Sequence, residues 1–258
     1  VIGAAYAAEG HGGGDGGLPD PMYQFEIKRL IELELFGVDA SFTNSSMFMV
    51  IAAVLITLFT LIAMRKGSLV PGRLQSTAEI SYEFVANMVR DNVGPHGQKF
   101  FPFVFTLFMF VLALNMLGMV PYSFTVTSHI IVTFALAAFI FIGVTLIGFW
   151  KHGIGFLKFF VPSGVPFLML PLLVVIEIIS YLTRPLSLSV RLFANMMAGH
   201  TMLKVFASFV VALGVLGGWA ALAFMVAFTG LELLIAFLQA YVFAILTCIY
   251  LNDALHMH

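Results

Sequence analysis

Six ionisable side chains interrupt the apolar carboxyl-terminal third of this chain: Glu177, Arg184, Arg191, His200, Lys204 and Glu232. A charged group at membrane depth costs about 2.5–3.5 kcal/mol on insertion scales, so each needs a reason to be there. Glu177, Arg184 and Arg191 follow at intervals of seven. On a helix that keeps each within about 20° of its predecessor. Asn195, four residues beyond Arg191, shares the stripe. His200 comes nine positions after Arg191 and falls on the opposite side, about 13 Å along the axis. Glu177 lies about 21 Å from Arg191 in the other direction. A permanent cation thus separates two titratable groups displaced in opposite directions along one helix. That is a proton relay with a barrier at its centre.

The last apolar stretch repeats the pattern. Glu232, Gln239 and Asp253 are spaced by seven and fourteen and hold one face, spanning about 31 Å, near the thickness of a bilayer core. The glycine-rich break from Gly214 to Gly218 divides the two helices. Packed antiparallel across it, Glu232 approaches His200 toward the outer side. Gln239 lies near Arg191, and Asp253 comes to the inner end beside Glu177.

The elements that position these groups follow from composition. The chain has 258 residues, 61% of them hydrophobic and only 10% charged, with a mean hydropathy of +1.04. Soluble domains run at about 45–50% apolar and about 25% charged, so the bilayer must solvate much of this surface. The net charge of −1 offers no basic field, and no nucleic-acid partner is expected. The single cysteine, Cys248, excludes an intrachain disulfide and reads as a small buried apolar residue. Neither a Gly-Lys-Ser/Thr phosphate loop nor a His-Glu-x-x-His helix occurs, so no cofactor or metal site is expected.

Along the chain, 1–40 reads as an extracytoplasmic tail and amphipathic segment. Its stretch Pro21 to Asp39 is expected as a surface-lying helix. Ala5-Tyr6-Ala7 has the small-x-small shape of a leader cleavage site, and a trimmed leader and a truncated start are both open. A first membrane helix is expected within 41–66, with its apolar run from Met47 to Met64. Segment 67–99 follows at the inner surface, with a helix over Ser76 to Met88 signalled by Ser76 and Glu79. A membrane hairpin occupies 100–150, its first run ended by Pro121. Two long helices, 165–213 and 219–253, complete the chain. Each exceeds the ~20 residues that a span needs, so it must tilt, lie flat or break, and Pro166, Pro171 and Pro185 permit kinks. The fold class is therefore all-α and polytopic: three spans, a surface amphipathic helix, and a long tilted hairpin. The tail carries Glu9, Asp15, Asp20, Glu26, Glu32, Glu34 and Asp39 and lies outside; the base-bearing segments 65–99 and 151–165 lie inside.

The string Arg191-Leu192-Phe193-Ala194-Asn195-Met196-Met197-Ala198-Gly199-His200 resembles the signature of the subunit a family of F-type ATP synthases, in the form found in alphaproteobacteria and mitochondria. Leu238-Gln239-Ala240-Tyr241-Val242-Phe243 and Leu246-Thr247-Cys248-Ile249-Tyr250-Leu251 match its last helix, and the likeness covers Phe100 to Asp253. The resemblance implies a membrane-embedded stator that carries protons through two offset half-channels to and from a rotating c-ring. In that reading Arg191 faces the rotor carboxylates, with Asn195 and Gln239 as its polar neighbours. His200 and Glu232 line the outer half-channel; Glu177 and Asp253 serve the inner one. The implied partners are the c-ring, the peripheral-stalk b subunits, the rest of the complex, lipid, and protons as transported ion. The implied location is a bacterial inner membrane, with the mitochondrial inner membrane as the alternative. ATP chemistry would reside on other subunits.

Plainer roles stand beside these. Arg184 could reach the interface or pair with a carboxylate, and Lys204 could pair with an acid or snorkel. Glu177 and Asp253 could be interfacial acids. His96, His129, His152, His256 and His258 sit in loops or at the tail and read as solvated. Asn115 could bond to a neighbouring helix. A secondary transporter would need two pseudo-symmetric halves, whereas the charges here crowd into one third. An intramembrane enzyme would need a nucleophile–base pair, and Ser187 and Ser189 have no histidine on their helix turn.

Overall fold

The computed structural model describes residues 27, 29–31, 34–35, 38–39, 41–65, 71–120, 123–161 and 169–255. The acidic tail up to residue 26, Pro166, His256 and His258 lie outside them, as does the side chain of His96.

The segment read as a surface-lying helix is instead extended wherever it is described. Strand β1 (Arg29–Ile31) pairs antiparallel with β4 (Phe42–Thr43), and β2 (Glu34–Leu35) with β3 (Val38–Asp39). The reason is legible in Ile31-Glu32-Leu33-Glu34-Leu35, whose apolar residues alternate with period two rather than 3.6. Every described residue beyond Thr43 is helical or connecting.

Helix α1 (Asn44–Met64) is capped by Thr43, whose side chain accepts from the Ser46 amide at 3.4 Å. Helix α2 (Arg73–Val93) starts a turn before the expected Ser76, because Gly72 serves as N-cap. The Ser76 amide donates to Gly72 O at 2.8 Å, and Glu79 accepts from Gln75 Nε2 at 2.7 Å, so no capping box forms. Ala78, Val85, Met88 and Val89 bury one face of α2, while Arg73, Glu83, Asn87 and Asp91 are exposed on the other beside Ile80.

A 3₁₀ turn over Pro95–Phe100 leads into α3 (Phe101–Gly118). A second, Val126–Ser128, precedes α4 (Ile130–His152), and a third spans Gly153–Phe160. The long helices α5 (Leu170–Gly214) and α6 (Gly217–Leu255) follow. Among the described residues five helices are long and apolar enough to cross a membrane, which makes this an all-α polytopic membrane protein.

Helices α5 and α6 run to 45 and 39 residues. At 1.5 Å per residue they are roughly twice as long as a bilayer core of about 30 Å is thick, so neither can stand upright in it. From Leu170 to Leu255 the only non-helical dihedrals belong to Gly214, with φ 59° and ψ −156°. Pro185 sits in the helix without interrupting its helical dihedrals. The Gly214 conformation is open essentially to glycine alone, and another residue held there costs about 1–3 kcal/mol. Gly214→Ala is therefore expected to lower the thermal unfolding midpoint of the purified protein; an unchanged midpoint would contradict this account of the turn.

The core lies between α3, α4 and the hairpin. Phe108, Ile140, Leu192, Met196, Phe243 and Cys248 are all essentially inaccessible, Cys248 in the apolar setting expected of it. Two polar ties hold α4 to the hairpin: Thr145 Oγ1 meets Tyr181 Oη at 2.7 Å, and Lys151 Nζ donates to Leu255 O at 3.0 Å. The second sets a cation on the carbonyl end of α6, where the helix dipole favours it.

Candidate functional site

Helix α5 has two chemically distinct faces. Leu188, Leu192 and Met196 are buried against the core, and His200 continues that inward side at 8% exposure. Arg191, Ala194 and Ala198 are exposed on the other side. The nine-residue separation of Arg191 and His200 thus does place them on opposite faces. No hydrogen bond or ion pair joins Arg191 to any described residue.

Three side-chain pairs mark the antiparallel register of α5 and α6. Nearest the Gly214 turn, His200 Nδ1 contacts Glu232 Oε1, with both residues buried. Gly199 makes this approach possible: a Cβ there would stand 2.9 Å from Glu232 Oε1. Further along, Asn195 Nδ2 donates to Gln239 Oε1 at 3.0 Å. Gln239, expected near Arg191, is bonded to the residue one turn beyond it. Third, Arg184 Nη1 donates to Asp253 Oδ2 at 2.9 Å, with the guanidinium also 4.9 Å from the Tyr250 ring centroid and 5.4 Å from that of Tyr181.

The third pair corrects one expectation. Asp253 was placed beside Glu177, but its partner is Arg184, about 10 Å further along the helix axis. The two helices pair so that 200 meets 232 and 184 meets 253; position 177 then has its level beyond the end of the described chain. Glu177 is half-buried and makes no hydrogen bond or ion pair with the described residues. For Arg184 the carboxylate pairing holds.

Around His200 the protein supplies polar groups that the sequence alone did not single out. His200 Nε2 bonds to the Gly118 carbonyl at the end of α3, at 2.8 Å. The same carbonyl accepts from Thr125 Oγ1 at 3.3 Å. One turn before Gly118, Asn115 is fully buried and donates to Ala236 O at 3.2 Å, tying α3 to α6 as its polar character suggested. The signal for this cluster was the uncharged but hydroxyl-rich run from Thr125 to His129, which reads as an ordinary loop until the fold turns it inward.

His129 and His152, expected in solvent, are turned inward as well. Each has a buried Nε2 without a hydrogen-bond partner among the described residues. The His129 ring stacks on Phe124 at 5.1 Å and 15°, and burial pulls its imidazolium below the usual histidine range.

Comparison with known proteins bears on this arrangement. The family model described as the ATP synthase A chain matches residues 46–252, most of the chain and all three seam pairs but Asp253. The chain belongs to the ATP synthase A chain family. It is 63% identical over 240 residues to a protein named ATP synthase subunit a from Pelagibacter ubique, covering 93% of this chain and 98% of that one. A protein of the same name from Chelativorans is 62% identical, over 92% of this chain and 98% of its own length. Another from Rhizobium meliloti is 59% identical, over 92% and 97%. These relatives are alphaproteobacterial.

Proposed function

We propose that the chain is the proton-conducting stator of a rotary ATP synthase in a bacterial inner membrane, with two offset half-channels that meet at a rotor. The observation that carries the reading is the isolation of Arg191: a permanent cation, exposed on α5, with no acid among the described residues to balance it. A cation at membrane depth needs an anion. A ring of c subunits, each presenting a carboxylate, supplies one in turn.

In this mechanism a proton arriving from the outer side is passed between His200 and Glu232 and neutralises a rotor carboxylate, which can then face lipid. After nearly a full turn that carboxyl reaches the inner half-channel and releases its proton toward Glu177 and the Arg184–Asp253 pair. Arg191 attracts the ionised rotor carboxylate and repels a proton taking the direct path. Asn195 and Gln239, bonded to each other, hold the seam closed beside it. The small side chains of Ala194 and Ala198, on the same exposed face as Arg191, let a rotor helix come close. The peripheral-stalk b subunits would anchor the chain against rotation, and ATP chemistry is left to other subunits of the complex.

The test is proximity to the ring in the assembled complex. Cysteines introduced as Ala194→Cys and Ala198→Cys, each with a cysteine in the ring's membrane helix, are expected to form disulfide cross-links. Leu192→Cys, on the buried face, is expected to give none. Cross-links at neither alanine would remove the rotor from this face.

A further inference from the structure

The end of α3 carries a device that the proton path as described does not use. The helix ends at Gly118, and its last carbonyls take side-chain donors in place of further helical amides. The Ser123 hydroxyl donates to Leu117 O. Gly118 O is left with His200 Nε2 at 2.8 Å and Thr125 Oγ1 at 3.3 Å, with the Ser123 hydroxyl also 3.3 Å away. Thr125 is 1% exposed and lies so close over Gly118 that a Cβ there would meet its Cγ2 at 2.8 Å. The glycine leaves room for the threonine, and the threonine hydroxyl holds the carbonyl.

A carbonyl oxygen only accepts, so the His200 nitrogen that faces it must carry a hydrogen. Neutral imidazole has one N–H, and Nε2 keeps it. We propose that the Gly118 carbonyl, held by Thr125, locks His200 in the Nε2–H tautomer, so that Nδ1 is the only ring nitrogen exchanging a proton with Glu232. Two arrangements then alternate. In one, a bare Nδ1 accepts from a protonated Glu232 carboxyl. In the other, Nδ1–H donates to the Glu232 carboxylate. One proton moves between nitrogen and oxygen, the Nε2–H bond stays unbroken, and the pair's total charge does not change. The opposite tautomer would set the Nε2 lone pair against that of the carbonyl and leave Nδ1 unable to accept. Gly118 and Thr125 are thus positioning residues.

The inference rests on the proposed role of His200, and its test is read separately from proton flux. The assembled complex in lipid vesicles, with ring-¹⁵N histidine, is titrated by solid-state NMR. The His200 signals are assigned by their loss in His200→Gln. Protonated and bare ring nitrogens differ widely in shift. We expect Nε2 to stay protonated from acid to alkaline pH while Nδ1 loses its proton. In Gly118→Ala, where the added methyl displaces Thr125, both tautomers should be present and pumping should fall several-fold. Thr125→Val, of the same shape without the hydroxyl, should give a milder mixture and a smaller loss. A native His200 that sheds its Nε2 proton overturns the lock and leaves the proton path standing. So does a Gly118→Ala protein that keeps the pure Nε2–H form, provided it folds and assembles. Normal pumping by His200→Ala with the expected tautomer in the native protein would instead sink the path.

Discussion

Inverted membranes carrying Arg191→Ala are expected to show no ATP-driven acidification, and once the catalytic sector is stripped away their passive proton leak is expected to rise. Both effects have one source. Arg191 has no partner within the described residues, so removing it breaks no internal ion pair and leaves no orphaned acid behind. The fold should survive, and a folded, assembled complex that cannot pump isolates the electrostatic role. Two unit charges about 4 Å apart at an effective dielectric near 20 interact by about 4 kcal/mol. By the usual factor of ten per 1.4 kcal/mol, that is roughly a thousandfold in the rate at which a proton slips past the cation. Arg191→Lys keeps the charge but loses the planar fork that meets a carboxylate through two hydrogen bonds. It is expected to block the leak while restoring little pumping. Fluorescence quenching of a pH dye reads both quantities in the same vesicles. Robust acidification by Arg191→Ala would be incompatible with the proposed mechanism.

The second large effect concerns the His200–Glu232 contact. His200→Ala and Glu232→Ala should each cut pumping by about a hundredfold, the lower end of what a positioned acid–base group contributes to proton transfer. Each single change also leaves a buried polar partner unsatisfied, which adds a structural cost of its own. The exchanged double variant, His200→Glu with Glu232→His, separates the two causes. It keeps one imidazole and one carboxyl in the same buried contact and should regain part of the lost flux. Full recovery is not expected, because the imidazole would then leave from α6 and lose its bond to Gly118 O. A double variant no better than the worse single one would mean that the contact is packing and not relay.

The tilt of the hairpin matters to both experiments. A helix far longer than the bilayer core is thick cannot be vertical. It therefore presents a long, shallow face to whatever lies alongside. Arg191 stands on that exposed face, with His200 and Glu232 buried behind it.

Much of this was settled by the chain's own chemistry. Composition alone demanded a membrane, and apolar runs with charged flanks located the first three spans, because a bilayer admits few other solutions. The seven-residue spacings and the nine-residue step to His200 are properties of helix geometry, so the opposed faces of Arg191 and His200 needed no tertiary information. The chain also specified its turn, since the Gly214 dihedrals suit glycine alone. What it did not specify is the register across that turn. A shift of one turn costs an isolated pair of helices little, and packing against α3 and α4 decides it. That is why Asp253 meets Arg184 and not Glu177, and why Gln239 bonds Asn195. The extended pairs before α1 were open to misreading because a short alternating run is also amphipathic. The Gly118 carbonyl lay hidden for a different reason: it is a backbone atom, present at every residue, and only the meeting of the α3 end with the distant α5 makes it an acceptor for His200.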